Sequence, residues 1–163
     1  NMTDQFSALA ILSNHDIDER QHALDTFYGE WKQDNQVVEK WLNIQATSSI
    51  PNTLNKVKNL MQHEAFSMNN PNKVRSLIGR FCMGNTVQFH AADGSGYQFL
   101  ADNVIELDKK NPQIAARLVQ AMIQWRRHDK SRQALMKQQL ERIKEQETVS
   151  KDVFEIVSRS LEE

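Results

Sequence analysis

The sequence contains very little of what disulfide-bonded, membrane-spanning or nucleic-acid-binding proteins require. It has one cysteine, Cys82, in 163 residues, which excludes an internal disulfide and favours a reducing, cytoplasmic setting. No apolar run reaches the length needed to cross a bilayer. The formal net charge is only -1, so no overall field draws the chain to nucleic acid or to an anionic membrane. We therefore expect neither partner.

Strand signals are also almost absent, and the apolar residues follow a helical pattern instead. Apolar residues make up 39% of the chain and charged residues 25%, which is typical of a globular protein. The length suits one domain over residues 1–163. The first residue is Asn1 and not Met, so we interpret the chain as a fragment or a processed product.

Apolar residues recur at spacings of three and four, which places them on single helix faces. The pattern predicts an all-α fold with roughly eight or nine short amphipathic helices. The cleanest apolar face comprises Val74, Leu77, Ile78, Phe81 and Cys82. Other faces comprise Ile17, Leu24, Phe27, Tyr28 and Trp31; Val37, Val38, Trp41 and Leu42; Leu54, Val57 and Met61; Ile114, Leu118, Ala121, Met122 and Trp125; and Val153, Ile156, Val157 and Leu161.

The prolines and the candidate capping residues agree with this pattern. Pro51, Pro71 and Pro112 each lie where a helix could begin, at or near its first turn, and each has a neighbouring Asn. Asp129 and Ser150 are further candidate N-caps.

The connections between the predicted helices are short, so sequential helices should pack antiparallel. Residues 51–61 and 71–82 share a Pro, a following Asn and a Leu/Val stripe. This similarity favours an irregular α-solenoid (superhelix) of antiparallel helix pairs. A compact bundle has the same periodicity and remains the alternative.

Candidate catalytic groups do not form a recognisable set. His63 and Glu64 begin like a zinc-protease motif, but Ser67 stands where the second histidine should be, and zinc needs both imidazoles on one helix face. We therefore predict no metal site and no catalytic residue in this chain. The remaining histidines are interpreted as surface or capping residues: His15, His22, His90 and His128.

A Gly-Ser-Gly segment, Gly94 to Gly96, precedes Tyr97. It is not a phosphate loop, because no Lys-Ser/Thr follows and no strand precedes it. A flexible turn into a helix that starts near Tyr97 is favoured over a close backbone approach. Cys82 lies on an apolar face, where cysteines are usually inert.

Basic residues are concentrated in the segment 126–144 and could bind an anionic partner. A solvated helix face is the favoured interpretation, because no aromatic residues alternate with the charges. Arg75 and Arg117 each follow an Asn-Pro pair in the second turn of a predicted helix. A guanidinium in a cleft can hold a carboxylate, although either arginine taken alone suits a surface charge or a structural ion pair.

Several ordered segments of the chain resemble the C-terminal domain of bacterial aminopeptidase N, the zinc-dependent alanyl aminopeptidase of the gluzincin class. The strongest are N-P-N-K-V-R-S-L-I-G at residues 70–79 and F-H-A-A-D-G-S-G-Y-Q-F-L at residues 89–100. N-P-Q-I-A-A-R at residues 111–117 also matches. Weaker matches lie at residues 61–66, 132–136 and 155–158.

The resemblance implies an all-helical superhelical domain that caps the catalytic domain of a peptide hydrolase, a metalloprotease. The zinc ligands and the catalytic Glu would lie upstream, so this chain would hold no cofactor and would be inactive alone. The upstream catalytic domain and peptide substrates are the implied partners. Arg75 and Arg117 would meet the C-terminal part of a bound peptide, and the loop Gly94, Ser95, Gly96 and Tyr97 would line the same cavity.

A free-standing helical-repeat module that binds a protein partner is the alternative function. The two interpretations differ in what they expect of the reading frame. An upstream extension with H-E-x-x-H supports the enzyme, and a start near Met2 supports the module.

Overall fold

A computed structural model describes residues 1–162, and every regular element in that range is helical. The predicted all-α class is therefore confirmed. The α-helices are α1 (Met2–Leu12), α2 (Asp18–Trp31), α3 (Asn35–Ala46), α4 (Thr53–Leu60), α5 (Pro71–Val74), α6 (Arg80–Gly84), α7 (Thr86–Phe89), α8 (Ser95–Asp108), α9 (Pro112–Val119), α10 (Lys130–Lys144) and α11 (Lys151–Glu162). A π-helical turn, Arg75–Gly79, joins α5 to α6, and two 3-10 turns, Gln120–Met122 and Trp125–Arg127, follow α9.

The chain divides into two compact units, Asn1–Asn85 and Thr86–Glu163. Each unit has its own core of buried apolar side chains. The sequence-based expectation of one domain over residues 1–163 stays a prediction.

Helix α3 is the centre of the first unit. It packs against α2, α4, α5, α6 and the π-helical turn. Trp41 and Leu42 are almost completely buried, and the Trp41 indole N–H donates to the carbonyl of Leu24 at 3.0 Å. The large apolar area removed from water there supplies most of the driving force for folding this unit.

The segment from Pro71 to Gly84 is helical without a break, as its apolar stripe predicts. Every member of that stripe is buried: Val74, Leu77, Ile78, Phe81 and Cys82. The middle turn is π-helical rather than α-helical. Such widened turns are rare and occur most often as single-turn insertions in α-helices.

Capping by short polar side chains follows the sequence prediction at three of the predicted positions, whereas Asn52, next to Pro51, makes no side-chain bond to the start of α4. The Asn70 side chain accepts from the backbone N–H groups of Asn72 and Lys73, directly before Pro71. Asn111 does the same for Ile114 before Pro112, and Asp129 accepts from the N–H of Arg132. These caps satisfy backbone donors that the first turn of a helix leaves unpaired.

Helix α8 is the centre of the second unit and packs against α7, α9 and α10. Its Leu100, Val104 and Leu107 are fully buried. Helix α11 packs against both α9 and α10 and buries Val153 and Val157. The helices of the second unit thus direct their apolar faces into its core, as the helices of the first unit do.

The predicted apolar face that begins at Ile17 is wrong at that residue. Ile17 has extended backbone angles, precedes α2 and is 49% exposed. Leu24 and Phe27 of the same predicted face are buried. Within residues 1–162, no helix is long and apolar enough to cross a membrane.

Candidate functional site

The Gly-Ser-Gly segment starts helix α8 and has two unusual glycines. Gly94 has φ 76°, in the left-handed region that glycine adopts without a steric cost. At Gly96, a Cβ would lie 2.8 Å from the carbonyl carbon of Phe89 and closer still to its oxygen. The predicted turn into a helix is present, with the helix beginning at Ser95. The close backbone approach, which the sequence did not favour, also occurs, at Gly96.

Tyr97 continues this contact within the core of the second unit. Its ring is fully buried and stands edge-on to Phe89 at 5.3 Å between centroids. Its hydroxyl lies 2.7 Å from Nδ1 of His90, with the donor set by the histidine tautomer. The ring of His90 stacks on His128 at 4.4 Å between centroids. Two histidines that look scattered in the sequence are therefore neighbours.

Arg132 and Asp129 complete this cluster. Arg132 Nε donates to the carbonyl of His90 at 2.8 Å, and its Nη1 donates to Asp129 Oδ2 at 2.8 Å. Burial, together with the positive charges of His128 and Arg132, lowers the pKa of His90. Burial also raises the pKa of Tyr97. Both shifts favour the neutral forms of the two side chains.

Arg117 lies in the second unit, in a groove between α9 and α11. The groove has a volume of about 490 Å³ and is lined by Gln113, Ala116, Arg117, Asp152, Glu155, Ile156 and Arg159. The side chain of Arg117 is exposed. None of the loop residues 94–97 lines this groove.

Arg75 belongs to the first unit and lies at the start of the π-helical turn. Its side chain is exposed, and Nη1 donates to Oδ1 of Asn72 at 3.2 Å. The contact between the two side chains restricts the guanidinium while leaving its other donors available. That Arg75, Arg117 and the loop share one cavity stays a prediction.

Part of the basic segment 126–144 is structural. Arg126 donates from Nη1 to the carbonyl of Ser160 and from Nη2 to that of Leu161, which ties the end of α11 down. Arg142 pairs with Asp102 of α8 at 2.6 Å. The interpretation as a solvated helix face is therefore incomplete, because three of these cations, Arg126, Arg132 and Arg142, bind other segments of the second unit.

His63 has a local role in the first unit. Its Nδ1 accepts from the N–H of Ala65 at 2.9 Å, and its ring stands edge-on to Tyr28 at 4.8 Å between centroids. Within residues 1–162, no three His, Cys, Asp or Glu side chains are grouped so that they could hold a metal ion.

Sequence reasoning missed the acidic and basic neighbours of Arg117. Asp152, Glu155 and Arg159 share one face of α11, since they are three and four residues apart. That spacing was a usable signal for a common face. The packing of that face beside α9 was not readable from it.

The described residues form an all-helical fold with a charged groove in its second unit. The family model described as "Domain of unknown function (DUF3458_C) ARM repeats" matches residues 1–162, and the chain belongs to this family. The repeat description agrees with the predicted solenoid of helix pairs.

Relatives of this chain are named aminopeptidase N, the family that the matching segments of the sequence indicated. It is 43% identical over 162 residues to aminopeptidase N of Haemophilus influenzae and 40% identical over 161 residues to that of Escherichia coli. These alignments cover 99% of this chain but 19% and 18% of the two relatives. The resemblance to bacterial aminopeptidase N is confirmed, and the chain spans about a fifth of such a protein's length.

A solved structure is similar over the same extent. It is described as the crystal structure of Legionella pneumophila aminopeptidase A in complex with aspartic acid. The match has a TM-score of 0.91 and 37% identity, and it covers 99% of this chain and 19% of that one.

Proposed function

We propose that this chain is the C-terminal cap of a zinc aminopeptidase that removes N-terminal residues from peptides. The observation that carries the proposal is the match over 99% of the chain to proteins named aminopeptidase N, at 38% to 43% identity. The cap would restrict access to the active-site cavity. A compartment with reducing conditions, the cytoplasm, suits the single buried thiol of Cys82.

In this proposal the hydrolytic chemistry belongs to the upstream catalytic domain. A zinc ion there would activate water and polarise the peptide carbonyl. This chain would contribute shape and charge. A guanidinium stays protonated at neutral pH, so Arg75 and Arg117 are suited to attract and orient a carboxylate but not to act as bases.

The peptide-handling role of the arginines is supported by their exposure. Both side chains lie at the surface of their units, and neither forms an ion pair with another described residue. In a cavity closed by a second domain, screening by salt is weak and a charge-assisted hydrogen bond gains strength. Within the loop 94–97, Ser95 is the residue that is not buried in its own unit, so the loop would line that cavity through Ser95.

The upstream reading frame tests the enzyme interpretation directly. We expect the frame to extend several hundred codons upstream and to encode H-E-x-x-H, the helical zinc-binding motif with its general base. Sequencing the transcript checks this. A frame that starts near Met2 would leave the free-standing protein-binding module as the better interpretation.

Replacing Arg75 or Arg117 with Ala in the full-length enzyme should raise KM for a tripeptide with a free C-terminus. The expected increase is about one to two powers of ten, because a charge-assisted hydrogen bond contributes about 1.5–3 kcal/mol. The C-terminal amide of the same tripeptide and a small alanyl-anilide should be nearly unaffected. Steady-state kinetics on the acid and amide pair make the measurement.

Arg127→Ala is the control for these two variants, since Arg127 is exposed and outside the groove of Arg117. It should leave both substrates unchanged. Equal losses on the acid and the amide in the Arg75 or Arg117 variant would show that these residues serve domain packing instead.

A further inference from the structure

The groove of Arg117 has two ends of opposite charge. Asp152 and Glu155 lie in the first half of α11, and Arg159 lies in its last turn. All three line the groove together with Arg117 of α9. The groove is therefore a dipolar surface and not a simple cationic one.

The direction of the two helices fixes where these charges lie. Gln113 and Asp152, each near the start of its helix, line the same groove. Beyond the end of α9, the Ser160 hydroxyl of α11 donates to the carbonyl of Ile123 at 2.7 Å. Helices α9 and α11 therefore run in the same direction, with the carboxylates at the N-terminal end of the groove.

Helix geometry sets the length of this surface. Asp152 and Arg159 are seven residues apart on one face, which corresponds to about 10 Å along the helix axis. Since one extended residue measures about 3.5 Å, this length takes about three residues of an extended peptide, or fewer when a long basic side chain covers part of it.

The two guanidinium groups of the groove are available for a ligand. Neither Arg117 nor Arg159 forms a hydrogen bond or ion pair through its side chain with any described residue. Of the two carboxylates, only Glu155 has a cationic neighbour, Lys151, at 4.0 Å and largely exposed. A surface ion pair of this kind contributes little and is easily exchanged.

We propose that this groove selects peptides with a lysine or arginine in their last two positions. Arg159 acts with Arg117 on the peptide carboxylate, and Asp152 and Glu155 hold the basic side chain. Complementary charges at both ends attract such a peptide and disfavour one with an acidic residue there. This specificity rests on the proposed function, because it places Arg117 at the peptide's C-terminal end.

The same residues have a competing structural explanation. Asp152 lies in the first turn of α11 and Arg159 in the last, where each sign complements the helix dipole. That explanation predicts an effect of substitution on stability and none on the choice between peptides.

The test compares the tripeptides Ala-Ala-Lys, Ala-Ala-Ala and Ala-Ala-Glu, and the C-terminal amide of each, on the full-length enzyme. We expect Arg159→Gln to raise KM about tenfold for the acids, with kcat and the amides unchanged. The double variant Asp152→Asn, Glu155→Gln should reduce the preference for Ala-Ala-Lys over Ala-Ala-Ala by about fivefold to tenfold. Arg127→Gln is the matched control outside the groove.

The outcomes separate this proposal from the proposed function. If Arg117→Gln raises KM for the acids and Arg159→Gln does not, the groove selectivity is wrong and the cap function stands. If neither variant distinguishes acid from amide, the role of Arg117 in the proposed function fails as well. Equal losses on all six peptides with a lower Tm would establish the helix-dipole explanation and overturn the proposal.

Discussion

Phe81→Ala should lower the free energy of unfolding by about 3–5 kcal/mol, the usual cost of removing a fully buried aromatic ring. Phe81 is 0% exposed and lies in α6, directly after the π-helical turn. The helix around Phe81 is itself closely packed, so its side chains cannot move far into the cavity that the ring would leave. Urea denaturation followed by circular dichroism gives the midpoint and the slope.

Phe154→Ala is the matched control for this loss. Phe154 is 42% exposed on α11, and Lys144 Nζ lies 5.5 Å from the centre of its ring. Truncation there removes far less buried area, so the midpoint should move by a small fraction of the Phe81 effect. Equal shifts in the two variants would contradict the burial of Phe81. A spectrum dominated by strand would contradict the fold itself.

Gly96→Ala should destabilise the second unit by about 1–3 kcal/mol or more, because the added methyl group meets backbone. The Cβ would lie 2.9 Å from Cα of Phe89 and 2.8 Å from its carbonyl carbon. A backbone neighbour cannot rotate away as a side chain can. Thermal unfolding of the variant measures the loss, and the separation between α7 and the start of α8 must increase to relieve the contact.

Gly29→Ala is expected to stabilise the chain, in contrast to Gly96→Ala. Gly29 is in α2, and a Cβ there would have nothing within 4 Å. Alanine is the better helix former by about 0.8–1.0 kcal/mol, so this variant should raise the melting temperature. A Gly96→Ala variant as stable as the natural chain would show that residues 89 and 96 are not in close contact.

The sequence was sufficient for the helical class and for the main apolar faces, because their causes are local, although it predicted fewer helices than the eleven described here. The stripe from Val74 to Cys82 repeats at three and four residues, and an amphipathic helix buries such a stripe wherever it packs. The caps at Asn70 and Asn111 are equally local, since each bond spans two or three residues. The exposure of Ile17 escaped this reasoning, because periodicity does not show that a residue precedes the helix rather than belonging to it.

Some features of the candidate site could likewise be predicted from local sequence, and others could not. The ordered matches around Arg75, Arg117 and residues 94–97 were enough to indicate the family, since they preserve both identity and order. The π-helical turn at Arg75 was not predictable, because it changes a hydrogen-bond register without changing the apolar pattern. Nor was the stacking of His90 on His128, which lie 38 positions apart in the sequence.

The sequence by itself determined the helical class, the capped helix starts at Asn70, Asn111 and Asp129, the absence of an internal disulfide and the family. These depend on interactions between residues a few positions apart, or on composition alone. Tertiary structure decided that Gly96 meets the backbone of Phe89. It also decided that Arg159, Asp152 and Glu155 line one groove with Arg117. Those neighbours are brought together by packing between helices, and the distances involved follow from how whole helix faces fit.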